Sequence, residues 1–375
     1  MLRIAALTSA LCIVAVWGLY PALIGLMASV RRRIGASPDV VSARQPRVTA
    51  VLATRADPTS VRDRVDDLLR SEYPANLLDV VVAYDARATE PPITWSDSVS
   101  AARVRVVTGD EPGGKAAALN AGMRAATGDV VVFADSGQRF GTDAIPLLVA
   151  AVMGEGVGAA SGRLELSRGE HAPSLPLRLY WSLERWLRRR EAEVHSTIGV
   201  TGAIYAMRRS LWSTLPAGLI LDDLYVPMRL VLDGHRVAFV DGARAYETRA
   251  TTDTNEYRRK VRTLTGVWQL CAWLPETLVP LRNPVWAQFV AHKLLRLLTP
   301  YWLLVCVVWM VAAVEQRMGL LWFALASALF AAALQLRSKP FRVLRSALVS
   351  SVLIQVATVR ATANGARKRW DVWHA

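Results

Sequence analysis

Hydrophobic and polar positions divide this chain into three regimes. Ile4 to Val30 carries no charged residue. That exceeds the roughly 20 residues needed to span a bilayer, and Arg31-Arg32-Arg33 follows at once. The pattern predicts an uncleaved membrane anchor over residues 1–33, with the N-terminus outside and the chain beyond Arg33 beginning in the cytoplasm. A cleavable signal peptide would have a shorter apolar run and a small-residue cleavage site. From Pro46 short β-branched runs alternate with helical spacing. Val48 to Leu52, Leu78 to Ala83, Val104 to Val107 and Val130 to Phe133 read as buried strands, and Asp57 to Leu69 as a helix through Val61, Val65, Leu68 and Leu69. Such alternation implies a parallel sheet with right-handed crossovers, a doubly wound α/β architecture. Its ligand crevice belongs at the carboxyl ends of the strands, near Thr54, Arg55, Asp85 and Asp135.

Beyond Gly141 the pattern is more varied. Ala159 to Glu165 reads as a strand. Leu175 to Arg190 places Leu179, Leu183, Trp186 and Leu187 on one helical face and arginines on the other. That suits either an interfacial amphipathic helix or a core helix. A cytoplasmic domain is therefore expected over residues 46–282. Residues 283–299 mix Trp286, Phe289, Leu294, Leu295 and Leu298 with His292, Lys293 and Arg296, as an interfacial helix would. Pro300 to Val314 and Gly319 to Leu336 predict a hairpin of spans. Ser346 to Val359 is short and contains Ser350, Ser351 and Gln355, so residues 300–363 hold two or three crossings. A basic tail over residues 364–375, with Arg367-Lys368-Arg369, is read as cytoplasmic.

Composition supports a membrane setting. The chain has 375 residues, 53% of them hydrophobic, and a mean hydropathy of +0.25, too apolar for an ordinary cytosolic enzyme. Its net charge of +14 comes from basic residues clustered beside apolar stretches, which points to anionic lipid headgroups and phosphorylated substrates rather than nucleic acid. Cys12, Cys271 and Cys306 supply neither a disulfide framework nor zinc-ligand spacing.

The most chemically pointed stretch is Gly113-Gly114-Lys115 followed by the small-residue helix Ala116 to Gly122, then Thr127-Gly128-Asp129, the strand, and Asp135. A tight glycine turn, a helix N-terminus and an ammonium can all face phosphates, so the segment reads as a holder for a nucleoside diphosphate.

Lys115, Asp135, Asp222-Asp223 and Arg258-Arg259-Lys260-Val261-Arg262 stand in an order and spacing that resembles the inverting family-two glycosyltransferases. The similarity is to the membrane-bound branch that includes hyaluronan, cellulose and poly-N-acetylglucosamine synthases. It covers roughly Val48 to Gly266, with looser agreement through His292-Lys293 and Arg296. The resemblance implies a GT-A-like, Rossmann-like domain. It also implies a UDP-sugar donor, Mg²⁺ or Mn²⁺, inversion at the anomeric carbon, and a membrane-associated glycan or lipid acceptor. Bacterial polysaccharide or glycolipid synthesis at the cytoplasmic (inner) membrane is the implied setting, with an oligomer or other envelope-assembly proteins as further partners.

Carried over residue by residue, Thr54, Arg55 and Asp57 line the nucleoside, and Asp85 reads the base. Lys115 and Asp135 face the diphosphate, Asp135 also holding the metal. Thr201, Gly202 and Ala203 form the loop that admits the acceptor. Asp223, beside Asp222, is the general base, and Arg262 with Arg259 steadies the leaving group. Local alternatives exist: Asp57 and the Asp222-Asp223 pair suit helix caps, and Asp85 and Asp135 suit turns. Two departures stand out. Gly137 replaces the second carboxylate of the family's Asp-x-Asp signature, and Thr263 replaces the tryptophan of its Gln-x-x-Arg-Trp box, which argues for one or a few additions rather than processive synthesis. A nucleotidyltransferase would share the glycine turn and the aspartates, but Ala53 to Asp57 lacks the glycine loop expected after its first strand. A non-catalytic membrane scaffold is favoured by the two departures and opposed by the joint retention of Lys115, Asp135, Asp223 and Arg262.

Overall fold

The computed structural model describes residues 1–34, 45–89, 92–93, 102–165, 175–248, 253–318, 322, 324–325, 327–328 and 339–372. The apolar N-terminal run forms helices α1 (Leu2–Val14) and α2 (Tyr20–Ile34), joined without a break by the π-helical turn Ala15–Leu19. Alternating strands and helices follow: β1 (Val48–Thr54), α3 (Pro58–Leu69), β2 (Leu78–Tyr84), β3 (Val104–Thr108), α4 (Lys115–Ala125), β4 (Val130–Ala134), β5 (Gln138–Phe140), α5 (Ala144–Val152) and β6 (Val157–Glu165). Then come α6 (Leu175–Val194), β7 (Ile204–Arg208), α7 (Asp222–Leu232), β8 (Arg236–Glu247) and α8 (Asp253–Trp273). The chain ends with α9 (Trp286–Phe289), α10 (Thr299–Met318) and α11 (Lys339–Ala366).

One eight-stranded sheet in the order β3-β2-β1-β4-β7-β6-β8-β5 forms the middle layer. The strands read from the sequence occupy its first half, where β3, β2, β1 and β4 run parallel. Their near-continuous Val and Ala runs are what a sheet buried on both faces requires, and Val80 to Ala83 and Val130 to Phe133 are almost fully shielded. One apolar layer packs α3 and α5 on one face, and another packs α4, α7 and α8 on the opposite face.

The second half of the sheet departs from the all-parallel expectation. β7 enters at the carboxyl end of β4, pairing Ile204 with Ala134, and runs antiparallel to it; β6 is antiparallel to β7, and β5 to β8. The physical cause is the return of the chain over the sheet's carboxyl edge through Thr201-Gly202-Ala203 instead of through a full crossover. That antiparallel entry sets the turn beside Asp135.

α6 is the amphipathic helix expected at Leu175 to Arg190, and its apolar face is a packed one. Leu187 and Val194 are buried with Ile24 and Ala28 of α2, and Leu183 and Trp186 flank them. Residues 283–299 also differ from expectation: they lead through α9, a π-turn (Val290–Leu294) and a 3₁₀ turn (Leu295–Leu298) directly into α10. Their basic residues turn inward to carboxylates of α6 and do not face outward to headgroups. His292 is 1% exposed. Leu2–Arg31 and Trp286–Arg317 are the two helices among the described residues long and apolar enough to cross a membrane, with hydropathies of 2.1 and 2.2. The two rods touch where Trp17 Nε1 donates to Thr299 Oγ1 at 3.1 Å. Ser346 to Val359 lies within α11, which packs on α8 near Asn364 and Thr265. Most of the predicted span Gly319 to Leu336 lies outside the described residues.

Candidate active site

The parallel strands end on one edge, and the chain turns there deliver the site. Gly113 (φ +83°) and Gly114 (φ +103°) both take the left-handed backbone that disfavours a Cβ. A Cβ on Gly113 would also stand 2.6 Å from Asp85 Oδ1. Asp85, at the end of β2 and buried, holds this turn by accepting the Gly114 N–H at 2.7 Å and the Arg87 N–H at 3.0 Å. Its other oxygen lies 3.7 Å from Arg55 Nε. Thr54 ends β1, its carbonyl accepting the Asp85 N–H. Asp57 caps α3, accepting from Ser60 N at 2.9 Å and from the Thr59 and Ser60 hydroxyls. Those hydrogen bonds hold its carboxyl below the usual range.

The turn starts α4 with Lys115 as its first residue. Lys115 Nζ sits 3.2 Å from Asp135 Oδ1 at the end of β4 and 3.3 Å from Asp222 Oδ2 at the start of α7. Burial works against the ammonium, but Asp135, Asp222 and Asp223 outweigh it and raise its pKa, so it stays charged. Asp223 follows in the first turn of α7, where the helix N-terminus favours negative charge. Its backbone carbonyl accepts the Val200 N–H at 2.8 Å. Burial, then the Asp222 charge, pushes its carboxyl up; Lys115, Arg262 and Arg188 pull against that. The Thr201-Gly202-Ala203 turn lies beside this carboxylate, and a Cβ at Gly202 would stand 3.2 Å from Asp223 Oδ2.

The carboxylates of Asp135 and Asp222 thus pair with one lysine, and the charges of Asp223 and of Arg262 on α8 act on the same cluster. Arg259 takes a different direction, its guanidinium 5.3 Å from the centre of the Trp181 ring on α6. Among the described residues, no group of three or more His, Cys, Asp and Glu side chains is assembled as a metal cage. Gly137 offers its carbonyl, which accepts the Thr248 hydroxyl at 2.7 Å. The Asp135 side chain is 37% exposed.

Three contributors escaped the sequence reading. Arg64 is fully buried in α3, paired with Asp67, and donates through Nε to the Asp135 carbonyl at 3.0 Å, which fixes the end of β4. An arginine on the apolar stripe of Val61, Val65 and Leu68 was the available signal. Tyr205 is buried on β7, stacked on Phe133, and its hydroxyl has no hydrogen-bond partner. Burial and the neighbouring Asp222, Asp223 and Asp135 charges raise its pKa. Its sequence gives only the pattern of an apolar strand. Arg188, on α6, donates to Thr201 Oγ1 at 3.3 Å.

A half-parallel sheet whose carboxyl edge gathers a glycine turn, a lysine and aspartates defines a nucleotide-sugar-handling domain of the GT-A type. Residues 46–266 match the family model "Glycosyltransferase like family 2". The chain belongs to that family, whose members transfer a sugar from a nucleotide-sugar. No curated protein sequence matches the chain. Among solved structures it is similar to the mannosyltransferase PcManGT from Pyrobaculum calidifontis, solved in complex with GDP-Man and Mn²⁺. That pair has 21% identity and a TM-score of 0.69, covering 98% of this chain and 100% of that one. The likeness extends the shared fold to the N- and C-terminal helices. Glucosyl-3-phosphoglycerate synthase from Mycobacterium tuberculosis, in complex with Mn²⁺, UDP and its product, is 18% identical over 60% of this chain and 79% of that one, with a TM-score of 0.37. TarS of S. aureus is 15% identical over 59% of this chain and 39% of that one, with a TM-score of 0.38.

Proposed function

We propose that this protein transfers a sugar, with inversion, from a nucleoside diphosphate sugar, read from the sequence as a UDP-sugar, to a membrane-associated glycan or lipid. The observation that carries the reading is the convergence of Asp135, Asp222 and Asp223 on Lys115 at the carboxyl edge of β4, within a family-two glycosyltransferase fold.

Asp223 is the general base. The acceptor hydroxyl gives its proton to the Asp223 carboxylate as its oxygen bonds to the anomeric carbon. The bond from that carbon to the diphosphate oxygen breaks, and the nucleoside diphosphate leaves with the electron pair. A pKa raised by burial makes Asp223 a stronger base than a solvated aspartate. Lys115 and Arg262 face the charge that develops on the leaving diphosphate. Gly202, with no side chain, leaves room for the acceptor beside Asp223. A Mg²⁺ or Mn²⁺ ion held by Asp135 would neutralise the diphosphate, and the single exposed carboxylate suits an ion that keeps several waters. The Asp85 carboxylate at the end of β2 supports base recognition, because a carboxylate accepts the ring N–H of uracil or of guanine. The two long apolar helices, with Arg31-Arg32-Arg33 after the first, support a catalytic domain lying at the cytoplasmic face of a membrane.

The test is release of nucleoside diphosphate by detergent-purified protein from a panel of UDP-sugars and GDP-mannose, with Mg²⁺, Mn²⁺ or EDTA. Metal-dependent turnover of a UDP-sugar, abolished by Asp135→Ala, supports the reading. Turnover of GDP-mannose alone corrects the donor, and the absence of both binding and turnover overturns it.

A further inference from the structure

Glu184 of α6 is buried at 5% exposure, yet four basic side chains surround it. It faces His292 Nε2 at 2.9 Å, Lys293 Nζ at 3.0 Å and Arg296 Nη1 at 3.0 Å, all from the segment leading into α10. It also faces Arg188 Nε, one helical turn along, at 3.8 Å. Burial would raise its carboxyl, but the charges of these partners hold it well below the usual range. One turn further still, Glu191 is completely buried and meets the other side of the His292 ring, at 2.7 Å, together with the Tyr20 hydroxyl of α2. α6 is thereby bolted to both long apolar helices through ionic groups.

The far end of the same network reaches the active site. Arg188 is held from one side by Glu184, and its Nη1 donates to Thr201 Oγ1 at 3.3 Å. The Thr201 hydroxyl spends its own proton on the Gly162 carbonyl at 2.9 Å, so a lone pair is available to the guanidinium. Thr201 N is tied to Ser161 Oγ at 2.8 Å. The next residue, Gly202, lies beside the Asp223 carboxylate, where a Cβ would come within 3.2 Å of Oδ2. Asp223 is faced by Asp222 on its own helix, Lys115 from α4, Arg262 from α8, Arg188 from α6 and Tyr205 from β7.

We propose that Arg188, locked by Glu184, is a positioning residue. It pins the Thr201-Gly202 turn against Asp223 and so couples the seating of the apolar helices to the geometry of acceptor approach. A truncated Arg188 frees the turn, and a neutral Glu184 releases Arg188. The part played by Asp223 rests on the function proposed above; the link from Arg188 to the turn rests on geometry alone.

The experiment is amide hydrogen exchange on the full chain in detergent for Arg188→Met, Arg188→Lys, Glu184→Gln and the control Arg189→Met, whose side chain pairs with Glu193 instead. Arg188→Met is expected to speed exchange across residues 200–203 by about tenfold, the effect of losing one charge-assisted hydrogen bond, and Glu184→Gln to speed it there by less, through loss of the 3.8 Å ion pair that orients Arg188, while β1 and β4 stay at wild-type protection. Arg188→Lys falls between, and Arg189→Met changes nothing. In turnover assays Arg188→Met leaves nucleotide-sugar affinity within about twofold but lowers transfer to acceptor, and it moves the acidic limb of the pH–rate profile upward because a cation beside the base is gone. Unchanged exchange at residues 200–203, or acceleration spread equally over β1 and β4, overturns the proposal. If Asp223→Asn retains full transfer while Arg188→Met frees the turn, the base assignment falls and the positioning link stands.

Discussion

Asp223 and Lys115 illustrate how single residues set the chemistry. Replacing Asp223 by Asn preserves shape and removes the proposed proton acceptor, so kcat is expected to fall roughly 10²–10⁴-fold with nucleotide affinity unchanged, read by initial rates and by ligand titration. The folded-state pKa of Asp223 is raised, so its ionisation destabilises the fold as pH rises past the usual carboxylate value. The Asn variant therefore melts no lower than wild type at pH 7, and a drop in Tm would contradict the burial argument. The same raised pKa predicts a rate that climbs with pH along an acidic limb lying above the ordinary aspartate value. Lys115→Met takes away the cation nearest the carboxylates, so that limb moves to still higher pH. A pH–rate profile identical to wild type would remove Lys115 from the site's electrostatics.

At the scale of elements, the glycine turn before α4 makes the sharpest claim. Gly113→Ala forces a Cβ into a left-handed conformation and against Asp85 Oδ1, a combination expected to cost about 1–2 kcal/mol from the backbone alone. Because Asp85 holds Gly114, the change also disturbs the amides proposed to face the diphosphate, and nucleotide affinity is expected to fall with it, measurable by calorimetry. This turn was legible in the sequence, as were β1 to β4, because runs such as Val130 to Phe133 are buried on both faces and show it in composition. β7 was harder to place. Ile204-Tyr205-Ala206-Met207 reads as an apolar strand, but its direction comes from where the chain re-enters the sheet, a long-range property with no local signature. The basic residues of 283–299 misled for a related reason: His292, Lys293 and Arg296 look solvent-facing until Glu184 and Glu191, about a hundred positions away, are brought opposite them. Arg188 was visible only as one arginine in a run of three.

Across the whole molecule, two apolar rods stand beside one catalytic domain, and their outward faces hold Leu7, Leu11, Leu23, Leu26, Leu304 and Val308 exposed. Leaving so much apolar surface in water is costly at about 25 cal/mol per Å², whereas a bilayer accepts it. In the proposed topology Arg31-Arg32-Arg33, at the end of the first rod, faces the cytoplasm by the positive-inside rule, the side on which nucleotide-sugar donors are supplied. In a cysteine-free variant, Leu2→Cys is then expected to react with a membrane-impermeant maleimide in intact cells. Arg258→Cys, exposed in the first half of α8, reacts only after permeabilisation. Cys271 is a poor background reporter in any case, since burial pushes its thiol up to about 12. Labelling of Arg258→Cys in intact cells would put the active site on the wrong side of the membrane for a nucleotide-sugar donor. It would overturn the proposed topology while leaving the fold and the carboxylate cluster as described.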